Sequence, residues 1–587
     1  MQHLTGRQFS FPSGSIRLGG VFENKLKAVT EGVIKKTDMA ALADYFRYTK
    51  DMFATGEFWG KLLRAICLIA AYTDDAGLKE KARLAAYDMM ALQKEDGNIS
   101  TCPVHLQPKG SNGSDMWERK YALTGLLAYY ELTGDNKALD SALALVKYTN
   151  GQIGKAPKMP ITETGWAFCG IESSSILLPV MQVYSLTGDG DALELGRYIV
   201  ESGCCKRENI FEAILHKSPY RIGDNNNPKE SIAKAYEMMS CFEGLVEYAL
   251  AVGDGEMLDR AALFWDKVYR EEITLLGSGG ADGPFNLGPG TGEQWNRTRF
   301  EQTNPDIDLM METCVTVYWM KLCHRLFMET GDVKYMDQLE RSLYNAIYGA
   351  ICPDGEFFEY FPRFNGTRNR KVNYSFSING FDLSCCTANG PTALGMVPLF
   401  AFCKTKDSVA VNMYEAGKIR CEGFEADIES EYPAFGKARI TIIKCDAPKT
   451  LSLRVPNFAK SFHARVGNVL HRGVHGTYLT FDIKEGDVVD ISFDISLCIQ
   501  LAPHGINPLG KKYVAFTYGS LLLCHSPKGE FLPIGSLEMR GYEVERSEGG
   551  FVNVRVRLRD REIEMTDYMS GDKNWRGEEF LSWLPIK

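Results

Sequence analysis

Basic runs are missing from this chain. Its 66 lysines and arginines are outweighed by 75 aspartates and glutamates, for a formal net charge of -9. No Lys/Arg-rich stretch offsets that balance, which argues against a nucleic-acid partner. Long apolar runs are missing too. The most apolar early segment, Leu62 to Tyr72, is too short to span a bilayer and is flanked by charges, and Met1 to Ser15 is polar, without the apolar centre of a secretory signal. No membrane partner is expected, and the expected compartment is the cytoplasm, with a leader on a longer chain left open. Histidine is scarce: before residue 460 only His3, His105, His216 and His324 occur. The other five (His463, His471, His475, His504, His525) are spread without ligand spacing and read as structural or exposed. A small-domain disulfide framework is also absent, so most of the 16 cysteines read as reduced and buried.

What is present is an ordinary soluble composition, 45% hydrophobic and 24% charged. At 587 residues the chain is too long for one core, and two or three domains are expected. From about residue 24 to 403 the apolar pattern is helical. A punctuation mark recurs within it: Thr133-Gly-Asp135, Thr187-Gly-Asp189, Gly253-Asp254 and Thr330-Gly-Asp332. Each follows one apolar helix and precedes another, with Gly ending the first in a left-handed cap and Asp beginning the second. Tandem helical hairpins of this kind predict an α-solenoid or its closed form, an α/α toroid. The long Gly-rich stretch from Gly277 to Gly292 fits a site at one mouth of a toroid. After about residue 405 the period becomes two, with short strands predicted from Val409 to Val455, Thr477 to Phe493, Tyr513 to Leu523 and Val552 to Leu558. The expected fold is thus multidomain α + β: a helical toroid over 1–404, its first twenty residues docking as a strand on the β region, then antiparallel β-sandwich units over 405–505 and 506–587.

One stretch organises the rest: Asp382-Leu-Ser-Cys385-Cys386-Thr-Ala-Asn-Gly-Pro391. Asn389-Gly390-Pro391 reads as a turn and Thr392 to Phe402 as a helix with Pro391 near its first position, which places both cysteines just ahead of a helix N-terminus. Another adjacent pair, Cys204-Cys205, has no such setting. Upstream, Met311-Glu312-Thr313-Cys314 opens a second helical run, Val315 to Phe327. Glu312 and Cys314 are two apart and would face away from each other on a regular helix, so they converge only at an irregular helix start. Three thiolates and one carboxylate (Cys314, Cys385, Cys386, Glu312) form a four-coordinate set of the kind zinc accepts.

Polar-aromatic clusters open further helices. Asp115 to Tyr121 offers Trp117, Glu118, Arg119 and Tyr121; Lys234 to Met238 offers Tyr236 and Glu237; Gly170 to Ser173 offers Glu172. Capping charges and core aromatics account for these equally well. Glu293 lies in Pro289-Gly-Thr-Gly-Glu-Gln-Trp295, where the glycines permit close approach and Trp295 could exclude water; Glu301, Asp306 and Asp308 are its rivals.

The order of these motifs resembles glycoside hydrolase family 127, the β-L-arabinofuranosidase family: Gly292-Glu-Gln-Trp295, then Glu312-Thr-Cys314, then Cys385-Cys386 about seventy residues on. The resemblance extends loosely from about residue 20 to the C-terminus, its metal motif being the specific part. It implies an (α/α)6 barrel, a Zn2+ cofactor, Cys385 as a zinc-bound nucleophile, Cys386, Cys314 and Glu312 as the remaining ligands, and Glu293 as the acid/base. It further implies a retaining exo-glycosidase that removes a terminal β-L-arabinofuranose or related plant-glycan sugar from an oligosaccharide. One departure is evident: characterised members carry histidines in the helix openings, and this chain has none there. Arg119, Arg297, Arg299, Arg368 and Arg370 near the candidate segments would suit an acidic sugar. Two alternatives stay open, a toroid lyase or epimerase working by Tyr, His or Glu proton abstraction (against which the scarcity of histidine counts) and a non-catalytic zinc-stabilised carbohydrate-binding protein. Homodimer formation is left open as well.

Overall fold

The punctuation marks are helix junctions. In the computed structural model, which describes residues 7–223, 232–283, 285, 292–372, 374–405, 408–446, 449–503 and 512–587, Gly134, Gly188, Gly253 and Gly331 end helices in the left-handed region, at φ between 65° and 73°. Asp135, Asp189, Asp254 and Asp332 then cap the next helices through their carboxylates. A fifth junction uses Thr73-Asp74-Asp75, with Asp74 at φ 58° in the place of glycine and Asp75 as the cap.

Six helices follow one another in a circuit of contacts. Gly56–Thr73 packs on Asp115–Thr133, which packs on Leu177–Thr187, then Ala235–Val252, Thr313–Thr330 and Cys385–Ala401, and the last returns to Gly56–Thr73. These helices are buried on nearly every face, as an apolar helix surrounded by others must be. A second set lies outside, each helix packed on the one before it in sequence: Ala76–Leu92, Asn136–Gln152, Gly190–Ser202, Gly255–Glu271 and Val333–Ser342. These bury a single stripe; in Gly255–Glu271 it is Arg260, Ala261, Phe264, Trp265 and Val268.

Beyond residue 401 the chain is sheet-rich. A five-stranded sheet is ordered Phe9–Ser10, Phe402–Lys404, Ser408–Val411, Lys449–Val455, Thr477–Ile483, and a seven-stranded sheet runs from Val469–Gly473 to Ile16–Leu18. The N-terminal segment thus enters both, Phe9 opposite Lys404 and Ile16 opposite Ile419. A third sheet joins Leu497–Leu501 to Tyr513–Tyr518, so a boundary at 505 would cut it. The single strand expected over Tyr513 to Leu523 is two, Tyr513–Tyr518 and Leu521–Cys524, turned at Gly519 with φ 58°. None of the 16 cysteines is in a disulfide, and all but Cys169, Cys421 and Cys498 are buried.

A buried charge network ties helices to sheets. The Arg454 guanidinium lies 2.9 Å from Glu340 and 3.3 Å from Asp337, and Glu340 also accepts from Tyr432 at 2.7 Å and Ser520 at 2.6 Å. Removing one member of such a set strands a buried charge, at a cost of about 3–5 kcal/mol. Arg454→Met should therefore lower the denaturant midpoint markedly; an unchanged midpoint would show that the network contributes nothing.

Candidate functional site

Two irregular helix starts bring the sulfurs together. Met311 takes φ 65°, and Glu312 follows as the N-cap of Thr313–Thr330 with φ -50° and ψ 132°. That reversal sets the Glu312 carboxylate beside Cys314, two residues on, which a continuous helix would forbid. The other start follows a hairpin, Ser375–Ile378 paired with Phe381–Ser384. Ser384 caps the next helix by accepting the Thr387 N–H at 3.0 Å, so the helix begins at Cys385 and not near Pro391. Both cysteines occupy its first turn, and Pro391 and Pro398 lie within it. Gly390 marks close packing where a turn is expected: a Cβ there would stand 2.4 Å from the Phe358 ring.

The result is a buried four-donor cluster. Cys385 Sγ and Cys386 Sγ lie 3.7 and 3.8 Å from Glu312 Oε1 and 3.9 Å from each other, and with Cys314 all four donors fall within 4.8 Å. Tetrahedral zinc with Zn–S bonds of about 2.3 Å has ligand–ligand edges of about 3.8 Å, so these spacings fit the ion. Glu312 Oε2 is buried without a hydrogen-bond partner. Among the described residues this is the one group of His, Cys, Asp or Glu donors placed to hold a metal; Cys204 and Cys205 are packed in the hydrophobic core.

Charge around the cluster is uneven. Burial would raise the Cys314 thiol, but hydrogen bonds from Cys385 and Cys386 and the Lys61 ammonium, 4.0 Å away, draw it down to about 6. Cys385 and Cys386 are pushed well above the ordinary thiol value, first by burial and then by Cys314. Without a cation the trio therefore carries one thiolate, and holding three requires a positive ion among them.

Above the cluster opens a cavity of about 260 Å³. Of the three sulfurs, only that of Cys385 belongs to a residue lining it. Phe53, Trp117, Trp166, Phe168, Tyr236 and Tyr374 supply aromatic walls, and Glu57, Lys61, Lys234, Glu237, Glu293 and Tyr360 the polar groups. Glu293 is fully engaged: Oε1 accepts from the Tyr360 hydroxyl at 2.5 Å, and Oε2 pairs with Lys234. The same Tyr360 oxygen is 3.0 Å from Cys385 Sγ. Lys234 also stands 3.8 Å from Glu237, whose carboxyl burial raises to about 7. Glu57 accepts from Trp117 Nε1 at 2.6 Å and pairs with Lys61 at 3.3 Å.

Of the proposed sugar contacts, Trp117, Tyr236 and Glu237 line this cavity; the others do not. Trp295 is fully buried and packs beneath Gly279. Glu118 turns to Ser114, and Arg119 turns outward to Asp115 and Gln107. The Tyr121 hydroxyl lies 3.4 Å from that of Tyr318, deeper along the helices. Glu172 accepts the N–H groups of Ala167 and Phe168, bracing the turn that carries Trp166 and Phe168. Neither the rival acids Glu301, Asp306 and Asp308 nor any of the five arginines reaches the cavity; Arg368, for instance, is held by Glu359 and Tyr568. Of the loop before Glu293, Pro289 to Thr291 lie outside the described residues. Lys61, Glu57, Tyr360 and Tyr374 were not expected. The one sequence signal for the first two is Gly56-Glu57…Gly60-Lys61, an i,i+4 ion pair beside a glycine whose Cβ would meet the Tyr121 carbonyl at 2.0 Å.

Residues 18–396 match the family model for the β-L-arabinofuranosidase GH127 catalytic domain. The chain is 18% identical over 480 residues to a non-reducing end β-L-arabinofuranosidase of Bifidobacterium longum subsp. longum, covering 75% of this chain and 70% of that one. Among solved structures, a GH127 β-L-arabinofuranosidase from Geobacillus stearothermophilus T6 superposes with a TM-score of 0.77 at 17% identity, over 97% of this chain and 100% of that one. Another GH127 β-arabinofuranosidase gives 0.75 at 19% identity, over 99% and 98%. Within the described residues no helix is long and apolar enough to cross a membrane.

Proposed function

The chain belongs to glycoside hydrolase family 127, the β-L-arabinofuranosidase family, and from that premise we propose that it is a retaining exo-glycosidase releasing a terminal β-L-arabinofuranose or a related sugar from a glycan-derived oligosaccharide. The observation that carries the reading is the Tyr360 hydroxyl placed between Glu293 and Cys385. Its two contacts hold the carboxylate oxygen and the sulfur no more than 5.5 Å apart, short of the roughly 6.5–9.5 Å that inverting pairs keep open for a water. The volume of about 260 Å³ suits one sugar ring against aromatic walls, which supports exo action. With Lys61 and Lys234 each already paired to carboxylates, the cavity favours a neutral sugar over an acidic one. The circuit of six helices supports an (α/α)6 toroid as the catalytic unit, and the sheets that share its core support β-sandwich units behind it.

In the reading that follows, Glu293 gives its proton to the leaving oxygen while the Cys385 sulfur bonds to the anomeric carbon and the C–O bond breaks. Glu293 then takes a proton from water, the water oxygen bonds to that carbon, and sulfur departs as thiolate. Lys234 bridges Glu293 and Glu237, and burial raises the Glu237 carboxyl to about 7. Tyr360 orients both reacting groups. A zinc ion held by Glu312, Cys314, Cys385 and Cys386 would supply the positive charge that keeps the thiols ionised and stabilises sulfur as a leaving group.

Glu293→Gln tests the acid. Turnover of a natural oligosaccharide should fall by about 10²–10⁴-fold, while the glycosylation of an aryl arabinofuranoside, whose leaving group needs less protonation, should fall less. Equal losses on both substrates, in a folded and metal-loaded variant, would remove Glu293 from the role. NMR of the first-formed product should show the substrate's anomeric configuration.

A further inference from the structure

Behind the catalytic cavity the same six helices enclose a second space of about 570 Å³, lined by residues from all six and roofed by the N-terminal segment from Phe11 to Ile16. Its size falls in the range of about 300–1,000 Å³ typical of small-molecule sites, and none of the catalytic groups reaches it. It opens past Leu186, which is 44% exposed, and Glu131 at the rim.

Three polar groups facing this space lack partners. Arg64 Nε and His324 Nε2 are buried without a hydrogen bond. Glu131 makes no hydrogen bond or ion pair among the described residues. The remaining charges are matched: Lys321 lies 2.9 Å from Glu243, Arg325 pairs with Glu247, and Arg7 with Glu329 at 3.2 Å. With the Arg64 charge opposed by that of Glu131, the space has no excess positive charge to recruit an anion. An apolar guest would strip water from Arg64, His324 and Glu131 and offer nothing in return. Hydroxyl groups do both jobs, accepting from nitrogen and donating to carboxylate, and Phe11, Tyr72 and Met396 provide apolar surface for the C–H face of a ring.

We propose that this rear cavity binds a neutral polyhydroxy ligand of mono- to disaccharide size, as a site separate from the catalytic one. The probes are L-arabinose and maltose, with inorganic phosphate and citrate as anionic comparisons. Binding is followed by ligand-observed NMR and located in crystals soaked with each sugar. The variants are Glu131→Ala at the exposed rim, His324→Ala inside, and Trp117→Ala in the catalytic cavity. Arg64 is left intact because its Nη2 donates to Asn389 Oδ1 at 2.9 Å, one turn beyond Cys385. The expected result is sugar density in the rear cavity, with affinity there weakened at least tenfold by Glu131→Ala and by His324→Ala and unchanged by Trp117→Ala, while Glu131→Ala keeps kcat/KM on an aryl glycoside within twofold of the parent. Sugar found only in the catalytic cavity, rear-site binding indifferent to Glu131→Ala, or a rear cavity that takes phosphate or citrate and no sugar would each overturn the proposal.

Discussion

Cys385→Ser should abolish turnover while leaving the fold in place. The substitution is nearly isosteric, yet it replaces a thiol that can be ionised beside a cation with a hydroxyl far too basic to do so. Loss of an activated nucleophile costs about 10⁴–10⁶-fold in kcat, more than the loss expected of Glu293→Gln. The residual rate on an aryl β-L-arabinofuranoside is the measurement, and retention of even a tenth of parental turnover would take the nucleophile's role from Cys385. Covalent labelling gives an independent check. An electrophilic cyclophellitol-type sugar of matching configuration should modify one sulfur per chain, that of Cys385. Cys386 and Cys314 are wholly buried and do not line the cavity, so the sugar has no approach to them. A label on either would place the reacting sulfur elsewhere.

The architecture was legible because its signals are local. A glycine that must adopt positive φ and an aspartate that caps the next helix leave a two-letter mark, Gly-Asp, and four helical junctions carry it. The Thr73-Asp74-Asp75 junction escaped because aspartate there takes the left-handed conformation that glycine usually fills. The cluster was legible for a related reason: Glu312 and Cys314 can meet only across a helix start, and Met311 at φ 65° supplies it. The start at Cys385 was placed too late, since a proline and a preceding glycine announce a turn in sequence, whereas here Ser384 provides the cap and Phe358 demands the glycine. The cavity walls were the least legible part. Phe53, Trp166, Tyr360 and Tyr374 come from segments far apart in the chain, and only the tertiary packing brings them to one cavity. Trp295 and Arg119 illustrate the converse, residues whose chemistry suits a sugar site but whose side chains the packing turns away from it.

Metal removal should have the broadest consequences. Protein purified without chelator should contain about one zinc per chain by elemental analysis, and Cys314→Ala combined with Cys386→Ala should abolish it. The site lies between two neighbouring helices, Thr313–Thr330 and Cys385–Ala401, so an ion bound there would stabilise their junction. At a thousandfold excess of free zinc over its dissociation constant the linkage is worth about 4 kcal/mol, and chelation should lower the unfolding temperature together with the activity. The pH dependence of reloading follows from the thiols. Above about pH 6 the metal-free cluster holds Cys314 as thiolate but Cys385 and Cys386 as thiols, with Glu312 also raised by burial. Binding must therefore displace two or three protons, and the logarithm of the zinc affinity should rise by about two to three for each pH unit near neutrality. A slope near zero would mean that the sulfurs are already ionised without metal. Zinc that survives loss of both Cys314 and Cys386 would move the ion to other ligands altogether.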